Sequence, residues 1–404
     1  MALITPFRAL RYNPAVVPNL AEVVAPPYDV ISAKEDEQLQ ARSRYNCVRL
    51  ILGRGDDPHH RAAVQFAAWR EENVLLQDET PQLYLVEDRY RVRDAHNEEV
   101  ERRRRGLICL VRIEDADAGV VLPHERTMAG PRDDRFRRMS AVNAQLSQVF
   151  MITPDKDGVF GDLCEEASKG ETLADFTEDG GAAHRLVSIQ EPNLVTRFQK
   201  ILAERPLLIA DGHHRYETAR AYRDAKRAAN KSEGSGPRPY DHVMALVASM
   251  DDPGTTVLGY HRLLRDLEMT PSALRERLGR VFDLKRVAAI ADPGSGPSLL
   301  AAMEEAGSSG MIAFGIALRG DPELYLLSHG RNESDPPLAR LDVTVLHTDI
   351  FENLLGMTEE DFTQQSRIDY ASDPRLALER VATGSHAAAF LLNPTPPAEV
   401  MSVA

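Results

Sequence analysis

Five consecutive residues near the middle of the chain have side chains that suit the binding of an anion: Asp211, Gly212, His213, His214 and Arg215. Arg215 offers a planar fork of N–H donors for phosphate oxygens, and the two histidines add donors or metal ligands. Gly212 lets the backbone approach a ligand closely. Asp211 has the chemistry of an acid–base group or of a magnesium ligand. An Asp-Gly turn with a capping aspartate also suits this position, but a cap alone does not use two histidines and an arginine.

The residues on either side predict that this segment joins a strand to a helix. The apolar run at residues 207–210 is typical of a short buried strand. After the segment, small and apolar residues share one helical face: Thr218, Ala221, Tyr222, Ala225 and Ala229. Free N–H groups and the positive end of the dipole at a helix N-terminus favour phosphate. The sequence therefore predicts a phosphate site at this strand–turn–helix unit.

A second polar segment comes earlier in the chain. His124, Glu125 and Thr127 bring an imidazole, a carboxylate and a hydroxyl into one predicted loop, a combination found in proton-transfer and phosphate sites. The pair Asp134–Arg135 follows at the start of a predicted helix. No histidine lies four residues after His124, so this is not the zinc motif HExxH. A solvated surface loop explains the same residues equally well.

A third segment, Pro-Pro-Tyr-Asp at residues 26–29, is predicted to end a strand at residues 23–31 with a rigid turn. Tyr28 and Asp29 are candidate functional residues, although a rigid strand exit is the simpler interpretation. Ser32 and Glu35 follow at the spacing of a capping box, so a helix is expected to begin there.

Composition argues against several classes of protein. The chain of 404 residues has 62 acidic and 48 basic side chains, a formal net charge of −14, which disfavours nucleic acid as a partner. Its three cysteines form no CxxC pair, and there is no GxxxxGK[ST] or GxGxxG motif, so zinc knuckles, P-loops and Rossmann sites are not expected. Without a signal segment or a long apolar run, we expect a cytoplasmic protein that binds no membrane.

The other patterns alternate between strand and helix and predict a mixed α and β fold. Its length suggests two or three units, and we predict regions at residues 1–180, 181–265 and 266–404. Residues 171–183 are the best linker candidate, and His261 and His347 are interpreted as structural. The predicted strands include residues 48–52, 83–92, 100–113, 149–153, 243–250 and 256–260. Helices are predicted at residues 60–76, with Val64 on the apolar face, and at residues 132–146. Beyond residue 265, helix and strand patterns follow at residues 271–278, 301–306, 311–318, 324–327, 374–383 and 387–392.

Several short segments resemble the DUF1015 family in the same order along the chain. They lie at residues 4–8, 25–31, 124–127, 134–135, 210–219 and 341–347. The family name carries no function, but its DGHHR element is similar to the nucleotide-binding motif of the ParB and sulfiredoxin-like fold, which includes ParB clamps and free-serine kinases. The resemblance implies an α+β fold of mixed sheets with flanking helices, having a ParB/sulfiredoxin-like core and an additional α/β subdomain.

The resemblance also implies roles for the residues above. Asp211 would be the catalytic carboxylate and the ligand of Mg²⁺, and Glu125 with His124 would activate the acceptor hydroxyl. The phosphates of ATP or ADP would contact Gly212, His213, His214, Arg215, Thr127 and Arg135.

We therefore predict a nucleotide-dependent phosphotransferase that acts on a small hydroxylated metabolite, with serine as the first candidate. Two alternatives remain open: a nucleotide-binding regulatory module of ParB type without small-molecule transfer, and a metal-dependent hydrolase using His124, Glu125, His213 and His214. The oligomeric state is not predicted.

Overall fold

The chain divides into two compact units. One consists of Met1–Arg91 with Glu101–Thr255, and the other of Val92–Val100 with Thr256–Ala404. The computed structural model describes residues 1–28, 31–93, 99–115, 118–123, 129–230, 236–255, 259–332, 334–358, 361–362, 367–371, 373–396 and 399. Helices and strands alternate in both units, which confirms the predicted α+β class.

The strands of the first part of the chain are β1 Ile4–Thr5, β2 Leu10–Tyr12, β3 Leu75–Gln77, β4 Leu83–Arg93, β5 Glu99–Arg112, β6 Val121–Leu122, β7 Val149–Thr153, β8 Thr172–Thr177, β9 Ala183–Ile189, β10 Leu207–Asp211 and β11 His242–Ser249. The helices are α1 Ala33–Arg42, α2 Val48–Ile51, α3 Pro58–Glu71, α4 Ala129–Val142, α5 Val159–Ala167, α6 Pro192–Ala203 and α7 His213–Ala229, with 3₁₀ turns at Leu20–Glu22 and Pro239–Asp241.

A large mixed sheet forms the centre of the first unit. Its described strands follow the order β6-β10-β7-β11-β5-β4-β9-β8, and β1 pairs with β5. β10 runs antiparallel to β7, and β11 runs parallel to it. Leu207 and Ile209 of β10 are buried in a core that includes Phe198 of α6 and Tyr216 of α7. Because Asp211 pairs with Phe150, the end of β10 lies beside the start of β7.

The helix α4 packs against both α3 and α7. On the α7 side, the rings of Phe136 and Tyr222 meet edge to face at 6.4 Å, and the Tyr222 hydroxyl donates to the Asn143 side chain at 2.7 Å. On the α3 side, Trp69 and Val142 belong to one buried apolar cluster. These contacts hold α4 at a defined position against α3 and α7.

The second unit is built on a separate sheet with the strand order β13-β15-β14-β17-β12-β16, in which every described pair is antiparallel. The strands are β12 His261–Leu264, β13 Asp283–Ala289, β14 Met311–Leu318, β15 Glu323–Gly330, β16 Ile368–Ala371 and β17 Ala388–Leu392. The helices are α8 Pro271–Leu278, α9 Ser295–Ser308, α10 Asp342–Val345, which continues as a π-helix at Leu346–Leu354, and α11 Pro374–Ala382, with a 3₁₀ turn at Pro337–Arg340.

Alternation along β14 explains why helices cover both faces of this sheet. Phe314 points into a cluster formed with α8 and the π-helix, whereas Ala313 and Ala317 face α9 and α11. Since successive side chains of a strand point to opposite faces, a continuous apolar run is buried on both sides. None of the helices in the described part of the chain has the length and apolar character that crossing a bilayer requires.

Many of the predicted elements are confirmed. The strand at residues 207–210 and the helix after Gly212 are present as β10 and α7, and the hairpin strands at residues 83–92 and 100–113 are β4 and β5. The capping box of Ser32 and Glu35 is formed in both directions. The boundary predicted after residue 180 falls in the turn between β8 and β9, inside the first unit.

Other predictions are wrong. Residues 48–51 are helical because the buried Asn46 starts a helical turn: its side-chain oxygen accepts from the Val48 N–H at 3.0 Å, and its amide donates to the Val24 carbonyl at 3.0 Å. Residues 171–183 are not a linker, since most of them form β8 and its turn into β9.

Three further predictions need correction. Val64 of α3 is 55% exposed, and the buried face carries Phe66 and Trp69 instead. Residues 23–28 of the predicted strand at 23–31 have no strand structure, and Asp29 lies outside the described residues. His261 begins a strand instead of following one.

Candidate functional site

The predicted strand–turn–helix is built around one glycine. β10 is buried up to Ile209, and Gly212 then adopts φ 93°, ψ 32°, a left-handed conformation that glycine accepts without strain. α7 begins at the next residue and runs for 17 residues. The strand therefore passes into the helix through a single left-handed residue, and the Asp211 carboxylate before it lies on the surface, with 61% of its side chain exposed.

Hydrogen bonds to two acceptors hold the Arg215 side chain next to this turn. One terminal nitrogen donates to the Asp211 carboxylate, and the other donates to the Gln148 carbonyl just before β7. A Cβ atom at residue 212 would lie 2.8 Å from Arg215 Nε, so the absence of a side chain at Gly212 creates the space that the guanidinium occupies.

The two histidines that the sequence predicts to contact phosphate do not lie at the cavity. His213 is 5% exposed and points into the interior of the first unit. His214 has a buried Nδ1 that lacks a hydrogen-bond partner among the described residues. Neither histidine lines the cavity next to Arg215, and neither Asp211 nor Gly212 does.

α4 brings two further arginines to the same region. The Arg135 guanidinium lies over the ring of Tyr28. Arg138 is 8% exposed and donates to the Leu50 carbonyl at 3.2 Å and to the Asp134 carboxylate at 3.4 Å. The two arginines are three residues apart on α4 and so project from the same side of the helix.

These groups meet at a cavity of about 300 Å³ inside the first unit. Arg135, Arg138 and Arg215 contribute its charged lining, and no acidic side chain of the described residues lines it. The remaining lining comes from Ala25, Pro26, Pro27, Tyr28, Cys47, Ile51, Met139, Ala144, Gln145, Leu146, Ser147, Gln148, Thr218 and Val243. Segments that are far apart in the sequence therefore form one cationic cavity, an arrangement that suits an anionic ligand.

Sequence reasoning missed several residues of this cavity. Arg138 had a detectable signal, because its spacing from Arg135 places both on one side of a helix. Thr218 is 1% exposed, and its hydroxyl has no hydrogen-bond partner among the described residues. Gln145 supports the wall: its amide donates to the His242 carbonyl at 2.8 Å and its oxygen accepts from the Met244 N–H at 2.6 Å.

The predicted loop residues His124, Glu125 and Thr127 lie outside the described residues. α4 begins at Ala129, directly after them, and carries Arg135 and Arg138.

The described residues give little support for a thiol nucleophile or a metal cluster at the cavity. Burial raises the pKa of the Cys47 thiol to about 11, so this cysteine is protonated near neutral pH and is a poor nucleophile. Among the described residues, no group of three or more histidine, cysteine, aspartate or glutamate side chains is arranged to hold a metal ion.

The fold and the site define an α+β protein whose larger unit contains an arginine-lined cavity beside a strand–DGHHR–helix turn. The chain belongs to the family described as "Protein of unknown function (DUF1015)", whose model matches residues 4–344. No curated protein sequence matches it.

Two solved structures are similar to this chain at a low level. A conserved hypothetical protein from Pyrococcus furiosus has 14% sequence identity, with a TM-score of 0.30 over 70% of this chain and 79% of that chain. A free serine kinase in complex with AMP has 15% identity, with a TM-score of 0.31 over 70% of this chain and 77% of that chain. Likenesses at this level do not define an activity for the chain, and its ParB/sulfiredoxin-like core stays a prediction.

Proposed function

We propose that the first unit binds the phosphates of ATP or ADP in the arginine-lined cavity and transfers a phosphoryl group to a small hydroxylated metabolite, with serine as the first candidate. The observation that carries this proposal is the convergence of Arg135, Arg138 and Arg215 on one cavity that no acidic side chain of the described residues lines. Guanidinium groups are the side chains best matched to phosphate oxygens, since they offer paired donors in a plane.

The hydrogen bonds of the arginines support the same interpretation. A guanidinium has five N–H donors, and Arg215 gives one bond to Asp211 and one to Gln148. Arg138 likewise gives one bond to Leu50 and one to Asp134, and its buried Nε has no partner among the described residues. Both side chains are thus held in position by the protein and retain donors for a ligand.

Phosphoryl transfer mainly requires positioning and positive charge against the transferred group. Arginines fixed before the ligand arrives supply that charge without reorganisation during the reaction. The cavity volume of about 300 Å³ lies at the small end of the range for ligand pockets, roughly 300–1,000 Å³, and suits part of a nucleotide or a compact metabolite.

Asp211 is the proposed catalytic carboxylate and magnesium ligand. Its exposed side chain fits the usual mode of Mg²⁺ binding, in which one or two carboxylates act together with phosphate oxygens and water. When bound, Mg²⁺ would neutralise phosphate charge. The salt bridge between Asp211 and Arg215 keeps the Asp211 carboxylate next to one of the cavity arginines.

Glu125 is proposed to accept the proton of the acceptor hydroxyl, with His124 assisting and Thr127 contacting phosphate. This part of the proposal is supported by position in the chain: the segment precedes α4, and α4 carries two of the three cavity arginines.

The test is nucleotide binding by the full-length chain, measured by calorimetry and thermal shift with ATP, ADP, AMP and adenosine. We expect Arg215→Ala to weaken ATP binding by about ten- to a hundredfold, because a hydrogen bond to a charged group contributes ~1.5–3 kcal/mol. Arg220→Ala is the matched control, since Arg220 lies on the same helix, pairs with Glu217 at 2.6 Å and does not line the cavity.

Transfer is then tested with labelled ATP and ADP against small hydroxylated metabolites, beginning with serine. Product that depends on Arg215 but not on Arg220 supports a phosphotransferase. Nucleotide binding without transfer to any acceptor favours the regulatory module, and tightly bound zinc or iron in the purified protein favours the hydrolase. Equal nucleotide binding by both variants contradicts the proposed site.

A further inference from the structure

Thr218 is a buried polar residue that the proposed function has not yet used. It lies on α7 three residues after Arg215, lines the same cavity, and is 1% exposed. Its hydroxyl oxygen is buried and has no hydrogen-bond partner among the described residues. A buried hydroxyl without a hydrogen-bond partner lowers the stability of the fold, so a threonine at this position needs a physical reason.

Three other threonines, which lie in helices or directly after one, show the ordinary arrangement. The hydroxyls of Thr196, Thr348 and Thr383 each donate to the backbone carbonyl four residues earlier, at 2.8, 3.0 and 2.9 Å. Thr218 lacks this bond, although it sits in the middle of a regular helix. Its hydroxyl is thus not used to satisfy its own helix, which is the commonest use of threonine at such a position.

Spacing along α7 relates this hydroxyl to the cations. Residues three apart on a helix project from the same face, so Thr218 and Arg215 approach the same side of the cavity. Arg215 has 20% of its side chain exposed, whereas Thr218 and Arg138 are buried, and the part of the cavity that Thr218 and Arg138 line is its inner end.

We propose that the Thr218 hydroxyl donates a hydrogen bond to a phosphate oxygen of the bound nucleotide, and that this contact selects ligands whose phosphate reaches the inner end of the cavity. The inference rests on the proposed function, which it deepens by assigning the inner end to phosphate instead of the base. A phosphate oxygen supplies the acceptor that the described residues do not provide, and the adjacent arginines supply the balancing charge.

The two states of the protein then make opposite use of this hydroxyl. In the free protein it is a buried group with no partner among the residues that the structure describes, so replacing it by a methyl group of the same shape is expected to stabilise the fold or leave it unchanged. In the complex it makes a hydrogen bond to a charged group, so the same replacement is expected to weaken binding. A threonine with a purely structural role would show the reverse pattern.

The experiment compares the full-length wild type with Thr218→Val and with Thr218→Ser, which keeps the hydroxyl. ATP and inorganic tripolyphosphate are titrated by calorimetry, and the melting temperature of each ligand-free protein is recorded. We expect Thr218→Val to weaken binding of both ligands about tenfold or more with an unchanged or higher melting temperature, and Thr218→Ser to bind within about threefold of wild type.

The remaining outcomes overturn the inference in distinguishable ways. If wild type binds ATP, and Thr218→Val binds it equally well, the role of Thr218 is contradicted while the nucleotide site stands. If Thr218→Val weakens ATP but not tripolyphosphate, the hydroxyl contacts the nucleoside and the assignment of the inner end to phosphate is wrong. If wild type binds neither ligand, the proposed function fails together with this inference.

Discussion

Gly212→Ala tests whether the turn before α7 positions Arg215. Gly212 has φ 93°, and alanine in a left-handed conformation costs about 1–2 kcal/mol. The new Cβ would also lie 2.8 Å from Arg215 Nε and 2.9 Å from its Cζ, so the guanidinium has to leave its position. The substitution is therefore expected to affect both the free energy of unfolding and the binding of nucleotide.

Gly158→Ala separates these two effects. Gly158 occupies the corresponding position before α5 in the same unit, with φ 71°, and a Cβ there would have no atom within 4 Å. Both variants are expected to lose about 1–2 kcal/mol in urea denaturation. Only Gly212→Ala is expected to lose ATP affinity, by about ten- to a hundredfold, because a charge-assisted hydrogen bond is worth ~1.5–3 kcal/mol.

The assay is a pair of measurements on each variant, a denaturation curve and a calorimetric titration with ATP. Equal ATP affinities for the two glycine variants would refute the reasoning, since they would show that the guanidinium position does not matter. A large loss of stability in Gly212→Ala alone would also count against it, because the bound guanidinium would then be a structural support for the fold.

Two further predictions concern stability. Burial lowers the pKa of His261 from 6.5 to about 4, so the unfolded chain takes up a proton at a higher pH than the folded protein does. The free energy of unfolding is therefore expected to fall by ~3 kcal/mol as the pH drops from 6.5 to about 4. His261→Asn, whose amide oxygen can replace Nδ1 as the acceptor for the Leu392 N–H, should flatten this dependence in denaturation curves, and an unchanged slope would contradict the assignment. Gly254→Ala should lower the free energy of unfolding by about 1–3 kcal/mol, since a Cβ there would overlap the Arg103 carbonyl. Gly180→Ala is the control and should be nearly neutral, because the space around Gly180 is open. Equal melting temperatures for the two variants would disprove the overlap.

Local patterns in the sequence predicted the elements next to the site. The run at residues 207–210 is buried as a strand, and the residues after Gly212 form one long helix, because both signals are contained in contiguous residues. A turn that needs a left-handed residue is also readable from a glycine between two such elements. These features depend on neighbours in the chain and little on tertiary contacts.

Tertiary contacts decided the elements that were predicted wrongly. Residues 48–51 have the apolar composition of a strand, but the buried Asn46 bonds to the Val24 carbonyl and accepts from the Val48 N–H, which starts a helical turn. Val64 has the spacing of a core residue on α3, yet the burial of Trp69 orients the helix so that Val64 faces solvent. Such choices depend on partners distant in the sequence, and a local pattern does not contain them.

Sequence patterns could not predict the cavity, for the same reason. Its walls come from residues 25–28, from Cys47 and Ile51, from α4 and the segment after it, from α7 and from Val243, and no spacing in the sequence relates these parts. Arg135 and Arg215 could each be selected as phosphate ligands, but their convergence depends on the packing of α4 against α7. The unpartnered Thr218 hydroxyl is visible only in three dimensions.

The central claim is that Arg135, Arg138 and Arg215 together bind the phosphates of a nucleotide. A crystal structure of the full-length protein with ATP or a non-hydrolysable analogue tests it most directly. We predict phosphate oxygens at hydrogen-bonding distance, ~2.7–3.2 Å, from these guanidinium groups inside the cavity. Phosphates bound at another surface, with the cavity left to water, would contradict the account.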